Sequence, residues 1–237
     1  MEDIIQDNFN RNVVTIRTSL LTLDTDEPIL ESAIKLRGYI SSQFPEYPIF
    51  HNHLSEGKYI YEYPRVQYKI IDGNAFILGI EEGAKLIKMI SDVDKLSLGD
   101  NIYKIKQKTF CDKDEKIMPT RGLLQYKFMT PWLALNQKNY PKFKMLKDWR
   151  EKKIMLNNIL IGNIISMSKG FSFDIEKDIY AHSKIKEIEI RYKDNIVVGF
   201  IGEFRTNFKV PDFFGLGKGV SHGFGVIKNE VVNICNS

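Results

Sequence analysis

The sequence predicts an α+β protein built as two tandem βαββαβ units, the second a degenerate copy of the first. Three observations predict it. Alternating apolar segments and helically spaced ones recur in the order β-α-β-β-α-β up to residue 110, and a second β-α-β-β order follows from residue 123. The chain of 237 residues is long enough for two small domains of ~100 to 120 residues each. An antiparallel sheet backed by two helices in this order is the ferredoxin-like arrangement, which RNA-recognition modules also use and which implies no function by itself.

The first strand is predicted over 13–23, where Val14, Ile16, Thr18 and Leu20 alternate with Val13, Thr15, Arg17 and Ser19. After the acidic turn Asp24 to Asp26, Pro28 suits a first helical turn, and Ile29, Leu30, Ala33, Ile34 and Leu36 keep helical spacing up to Ser42. Pro45 and Pro48 break the chain, and 51–57 has loop composition before Tyr59, Ile60 and Tyr61 resume an extended pattern. Residues 65–71 and 75–80 read as a hairpin turned by Asp72, Gly73 and Asn74. A helix over 81–90 and a strand over 101–110 complete the first unit.

The mixed-charge stretch 111–116 is the expected domain boundary, giving an N-terminal domain over 1–115 and a C-terminal one over 116–237. In the second, 123–133 reads as a strand and 141–169 as one long helix, with Ile154, Leu156, Ile159, Leu160 and Ile164 as its buried stripe. A hairpin over 184–192 and 196–205 follows, turned at Asp194 and Asn195. A glycine-rich loop and a last short strand occupy 211–234.

Composition narrows the function classes. With 43% hydrophobic and 27% charged residues the chain is globular, neither collagen-like, mucin-like nor disordered. Its net charge of +4 is uneven: residues 1–31 hold seven acids against two bases, whereas 116–153 hold ten bases against two acids. The basic stretch reads as an anion-binding face or, more plainly, as a solvated helix face. Cys111 and Cys235 form neither a paired zinc motif nor a disulfide framework, which suits a reducing cytoplasm. The acidic start Met1, Glu2, Asp3 is unlike a secretory signal. The uncharged run 154–168 includes three Asn and falls short of the ~20 apolar residues that span a bilayer, so no membrane partner is expected.

Two constellations carry chemistry. His51 and His53, around Asn52, precede Tyr59, Tyr61, Tyr63, Arg65 and Lys69; the chain has four histidines in all, so a pair within three residues stands out. Imidazole takes and gives protons near neutral pH, as strand scission by an internal 2′-hydroxyl requires, and a tyrosine or lysine stabilises charge on the reacting phosphate. A plain loop and a metal-binding pair remain the other readings. Three adjacent residues are not the nuclease motif that shares the letters H-N-H. The second constellation is Gly215, Gly217, Gly219, Gly223 and Gly225 around Lys218, where glycines leave amides able to bind phosphate and Lys218 adds a cation. Neither the P-loop nor the dinucleotide fingerprint is present, and a glycine-rich turn between strands is the alternative.

Taken together, the tandem pattern, the His51-Asn52-His53 loop followed by Tyr61-Glu62-Tyr63-Pro64-Arg65-Val66-Gln67-Tyr68-Lys69, and the glycine loop resemble the CRISPR repeat-processing endoribonucleases of the RAMP superfamily over nearly the whole chain. The resemblance implies metal-independent cleavage of precursor CRISPR RNA within each repeat, leaving a 2′,3′-cyclic phosphate and a 5′-hydroxyl, with no cofactor. It makes His53 the principal general base or acid, His51 a second imidazole and Tyr61 the group that orients the phosphate, with Tyr59 and Tyr63 as rivals. It makes the glycine loop and Lys218 hold the RNA backbone, and Lys147, Arg150 and their neighbours Lys142, Lys144, Lys152 and Lys153 hold the repeat stem. Arg65 and Lys69 share strand parity with Gln67 and are expected to line the same cleft. His182 and His222 are expected to be structural or at the surface, with His222 open to an RNA contact. A homodimer and CRISPR effector subunits are further partners that the resemblance admits. The competing readings are a non-catalytic RNA-binding subunit of the same superfamily, a metal hydrolase ligated by His51 and His53, for which no zincin or H-x-E spacing exists, and a structural adaptor.

Overall fold

The computed structural model describes residues 13–51, 63–175, 178–192 and 195–230. They fall into two units, the first comprising Ile16–Glu115 and Gly219–Phe224, the second Lys116–Lys218 with 13–15 and 225–230.

In the first unit, β1 (Val14–Thr25) leads to helix α1 (Ala33–Gln43), a single turn α2 (Pro48–His51), and the hairpin β2 (Val66–Ile71) and β3 (Asn74–Ile80). A short helix α3 (Glu82–Leu86) runs on into a 3-10 turn (Ile87–Asp92), and β4 (Lys95–Leu98) precedes β5 (Asn101–Phe128). The strand order is β2-β3-β1-β5, with Leu21 opposite Ile77 and Ile77 opposite Tyr68. These three side chains form a row under α1, whose Ala33, Leu36 and Ile40 recur at helical spacing and bury against them. The expected helix start at Pro28 is corrected to Ala33: the Ile29 amide donates to the carbonyl of Gly73 in the β2-β3 turn (2.8 Å), which keeps this stretch non-helical.

Three further expectations are corrected. The sequence reading omits β4, which pairs with Asn101 to Lys104 across the two-residue turn Gly99-Asp100. The stretch 111–116 is no loop but the middle of the 28-residue strand β5. Its charges mark solvent exposure: Asp112 bridges to Lys88 at 2.6 Å, and the Lys113 carbonyl accepts from the Thr18 hydroxyl (3.2 Å). The division between the two units falls inside this strand, between Glu115 and Lys116.

The third correction concerns the long helix of the second unit, which is two helices, α4 (Asn139–Met145) and α5 (Trp149–Lys169). Leu146 is extended, and Asp148 caps α5 by accepting from the Arg150 amide (2.9 Å), so Lys147 sits in the break. Leu156, Leu160, Ile164 and Met167 form the buried stripe, whereas Ile154 is 62% exposed. Strands β6 (Ala181–Tyr192) and β7 (Asn195–Lys209) form the long hairpin, and β8 (Ile227–Asn229) closes the far edge. Since β5 pairs with both β7 and β8, the order is β8-β5-β7-β6, the same fourth-first-third-second arrangement as in the first unit. The second copy lacks its second helix: 210–226 holds one 3-10 turn (Val220–His222) instead. Trp132 anchors this core, stacked on Phe128 (5.4 Å) with its indole N–H donating to Asn163 of α5 (3.0 Å).

Asp148→Ala is expected to destabilise the second unit by about 1 kcal/mol, the usual worth of such a cap. Denaturant unfolding checks it, and an unchanged midpoint would show that the α4-α5 break does not depend on the cap.

Candidate functional site

The segment carrying the histidine pair is fixed at both ends by the first unit. At the entry, Phe50 is 1% exposed and packs its ring on Phe44 (5.3 Å) and against the edge of Tyr47 (6.3 Å). Its carbonyl accepts from two hydroxyls, Ser41 of α1 at 2.8 Å and Tyr68 of β2 at 3.3 Å. Burial pushes the Tyr68 phenol well above its ordinary pKa, so it remains a donor. The backbone of His51 ends α2 directly after this grip. Residues 52–62, with His53, Tyr59 and Tyr61, lie outside the described residues. At the exit, the Pro64 carbonyl accepts from the Gln67 side-chain NH2 (3.3 Å), and the Arg65 carbonyl accepts from the Ile80 backbone amide (2.8 Å).

Arg65 and Lys69 differ from expectation in where strand parity leaves them. Lys69 is wholly buried, its Nζ donating to the Gln67 side-chain oxygen at 3.2 Å. Burial holds its pKa well below the ordinary lysine value. The Arg65 side chain, 20% exposed, sets its Nε 3.4 Å from a carboxylate oxygen of Glu82 on α3. The two therefore do not share an exposed face. Alternation along β2 predicts which residues share a face but not that the face carrying Gln67 and Lys69 is covered.

In the glycine loop six amides are already bonded, which takes Gly223 and Gly225 out of the expected set of phosphate-binding amides. The amides of Leu216, Lys218, His222, Gly223, Phe224 and Gly225 donate to the carbonyls of Gly225, Leu133, Gly219, Val220, Gly219 and Pro131. Glycine serves close packing instead. At Gly225 (φ +66°) a Cβ would lie 1.9 Å from the Leu216 carbonyl oxygen, and at Gly223 (φ +86°) it would lie 2.6 Å from the Ala33 Cβ of α1. The Lys218 side chain is exposed.

One contributor was invisible in the sequence. Arg37 of α1 donates to the Nε2 of His222 and to the Ser221 hydroxyl (3.4 Å), placing a guanidinium on the 3-10 turn of the loop. Because arginine only donates, His222 Nε2 must accept, which assigns its proton to Nδ1. The sole sequence signal was the pair of basic residues, Lys35 and Arg37, between the apolar positions of α1. In the second unit, Lys147 and Arg150 are exposed as expected. Their neighbours turn to protein partners: Lys144 to Glu187 (3.8 Å), Lys152 over the Phe143 ring (4.7 Å) and Lys153 to His182 (3.2 Å). No group of three metal-ligating side chains occurs among the described residues, and none of their helices is long and apolar enough to cross a membrane.

Comparison with known proteins decides the family. Residues 14–116 match the model of the Cas6b N-terminal domain and residues 119–230 that of the Cas6b C-terminal domain. The chain belongs to the Cas6b family. A crystal structure of Cas6b is 31% identical and covers 92% of this chain and 100% of its own, with a TM-score of 0.84. A CRISPR RNA processing endoribonuclease Cas6b is 29% identical, covering 91% and 100%, with a TM-score of 0.72. A Cas6 of Thermus thermophilus, 13% identical over 91% of this chain and 98% of its own, shares the fold at a TM-score of 0.56. An uncharacterised protein of Methanocaldococcus jannaschii is 37% identical over 141 residues, 59% of this chain and 95% of that protein. Cas6b members thus share the tandem ferredoxin-like architecture described above.

The buried Lys69 generates a pH prediction. Between its depressed folded pKa and the ordinary value of about 10.4, the unfolded chain holds a proton that the folded chain lacks, so stability rises with pH over that window. Lys69→Met is expected to be more stable than wild type near neutral pH, with the gap closing as pH rises toward ~10. Melting temperatures of both proteins across that range test it, and parallel profiles would contradict it.

Proposed function

We propose that this Cas6b chain is a metal-independent endoribonuclease that cuts precursor CRISPR RNA within the repeat. The observation that carries the reading is the match of both halves to the two Cas6b domains, with a CRISPR RNA processing endoribonuclease among the solved relatives. The grip on the Phe50 carbonyl supports it, because general acid-base work needs imidazoles rooted on a rigid element, and His51 follows that carbonyl directly.

In the proposed reaction one imidazole, principally His53, takes the proton of the 2′-hydroxyl as that oxygen attacks the adjacent phosphorus. The second imidazole, His51, gives a proton to the departing 5′-oxygen as its bond to phosphorus breaks. The products are a 2′,3′-cyclic phosphate and a 5′-hydroxyl, and neither water nor a metal is consumed. Tyr61 orients the phosphate, with Tyr59 and Tyr63 as the rival positions. Lys218 and the glycine loop hold the RNA backbone and Arg37 braces the loop through His222; exposed Lys147 and Arg150 bind stem phosphates. For Arg65 and Lys69 the contact with RNA is indirect, through the backbone of the segment that they help to end.

Purified protein is expected to cut labelled repeat RNA at one position in the presence of EDTA, leaving a cyclic phosphate. His53→Ala is expected to lower the rate by ~10²-fold or more, the scale of lost general acid-base catalysis, while RNA binding survives. Binding without any cutting would make the chain a binding relative, and a requirement for a divalent metal would overturn the imidazole mechanism. Separately, Lys147→Ala with Arg150→Ala is expected to reduce the slope of log affinity against log salt by roughly 1 per contact removed, measured by filter binding at several ionic strengths. An unchanged slope would remove these two residues from the stem contact.

A further inference from the structure

The second unit contains a cavity of about 390 Å³ between α4 and the free end of the β6-β7 hairpin, with Lys218 at its rim. Its composition is unlike the rest of the basic surface. Tyr140 is 42% exposed there and Ile196 71%, so a flat aromatic ring and an aliphatic wall stand open to solvent side by side. Lys144 lies over the Tyr140 ring at 5.7 Å and tethers the Glu187 carboxylate. Glu189, next on the same strand face and paired with Val198, adds a second carboxylate to the lining. Asn136 uses its side-chain oxygen to accept from the Lys138 and Asn139 amides (2.9 and 2.8 Å), so what it offers the cavity is its NH2 donor.

We propose that this cavity binds one unpaired RNA nucleobase bearing an exocyclic amino group, stacked on Tyr140, with Lys218 on the neighbouring phosphate. The proposal rests on the RNA-processing reading for the nature of its ligand and adds a position and a base preference to it. An aromatic ring supplies the sequence-tolerant part of single-strand binding through the π-face that every base has. The carboxylates supply the preference. The Glu189 carboxylate accepts and cannot donate, so it matches the amino groups of adenine, cytosine or guanine, whereas uracil has no amino group and its one pairing-edge donor, N3–H, is flanked by two carbonyl oxygens whose lone pairs the carboxylate repels. Lys218 has its backbone amide tied to the Leu133 carbonyl (3.1 Å), which roots the cation beside the cavity. A flat apolar surface, an acceptor edge and an adjoining cation are the three features by which a nucleotide differs from an aliphatic or peptide ligand.

The test uses the full chain and fluorescently labelled single-stranded hexamers of adenylate, cytidylate and uridylate, read by anisotropy, alongside cleavage of repeat RNA by the same preparations. Wild type is expected to bind the adenylate and cytidylate hexamers more tightly than uridylate. Tyr140→Ala is expected to weaken adenylate binding roughly tenfold while Tyr140→Phe retains it, since stacking needs the ring and not the hydroxyl. Glu189→Gln is expected to narrow the adenylate-uridylate gap. Binding indifferent to Tyr140→Ala would overturn the proposal and leave the cavity to a protein partner, and equal affinity for uridylate in wild type would overturn the base preference. Tyr140-dependent hexamer binding without any repeat cleavage would support the pocket and sink the nuclease reading, whereas cleavage with Tyr140-independent binding would do the reverse.

Discussion

The carbonyl of Phe50 accepts from two hydroxyls that come from different elements, Ser41 on α1 and Tyr68 on β2, and the anchoring of the chain where the histidine segment begins depends on that junction. A carbonyl buried there without donors would cost its desolvation. With both donors present, the end of α2 is tied to a helix and a strand that already pack against each other through Leu36, Ile40 and Tyr68. The raised pKa of the Tyr68 phenol follows from the same burial and secures the donor at every ordinary pH. At the other end, Gln67 links the Pro64 carbonyl to Lys69, so β2 fixes both the entry and the exit of the histidine segment.

Lys69 shows what this arrangement costs. A fully buried lysine amine with one amide oxygen as its hydrogen-bond partner is a destabilising feature, and a leucine or methionine would serve the fold better. Such departures from the rules of a stable core concentrate at functional sites, where a perturbed lysine is tolerated for what it does to its neighbours. The glycine loop departs in another direction. Its glycines admit backbone within van der Waals contact distance at Gly223 and Gly225, six of its amides are bonded to carbonyls, and side chains carry its charge: Lys218 directly, and Arg37 through His222.

β1 and the β2-β3 and β6-β7 hairpins were legible in the sequence because alternation and turns such as Asp72-Gly73 are local signals. Where a non-local partner decided the outcome, the sequence misled. Pro28 suited a helix start, yet Gly73 captured the Ile29 amide; the charged stretch 111–116 suited a loop, yet pairing kept it extended. The α4-α5 break was a local event that the unbroken helical composition concealed, since it hinges on Asp148 serving as a cap. Within the candidate site, Lys218, Lys147 and Arg150 were legible as exposed cations. Arg37 was not, because its importance comes from a contact with residues far along the chain.

The sequence by itself determined the α+β class, the repeated strand-helix order and the two motifs that point to the family, since each of these is written in residue types at short spacing. Only the tertiary structure decided which side chains of those motifs face solvent. Parity along β2 places Gln67 and Lys69 together, but whether that face is open or covered depends on what packs over it, and no local pattern encodes that. The same reason separates the glycine loop as read from the loop as folded: φ > 0 is a local permission, whereas two of the acceptors that its amides reach, the carbonyls of Leu133 and Pro131, are brought alongside by the fold.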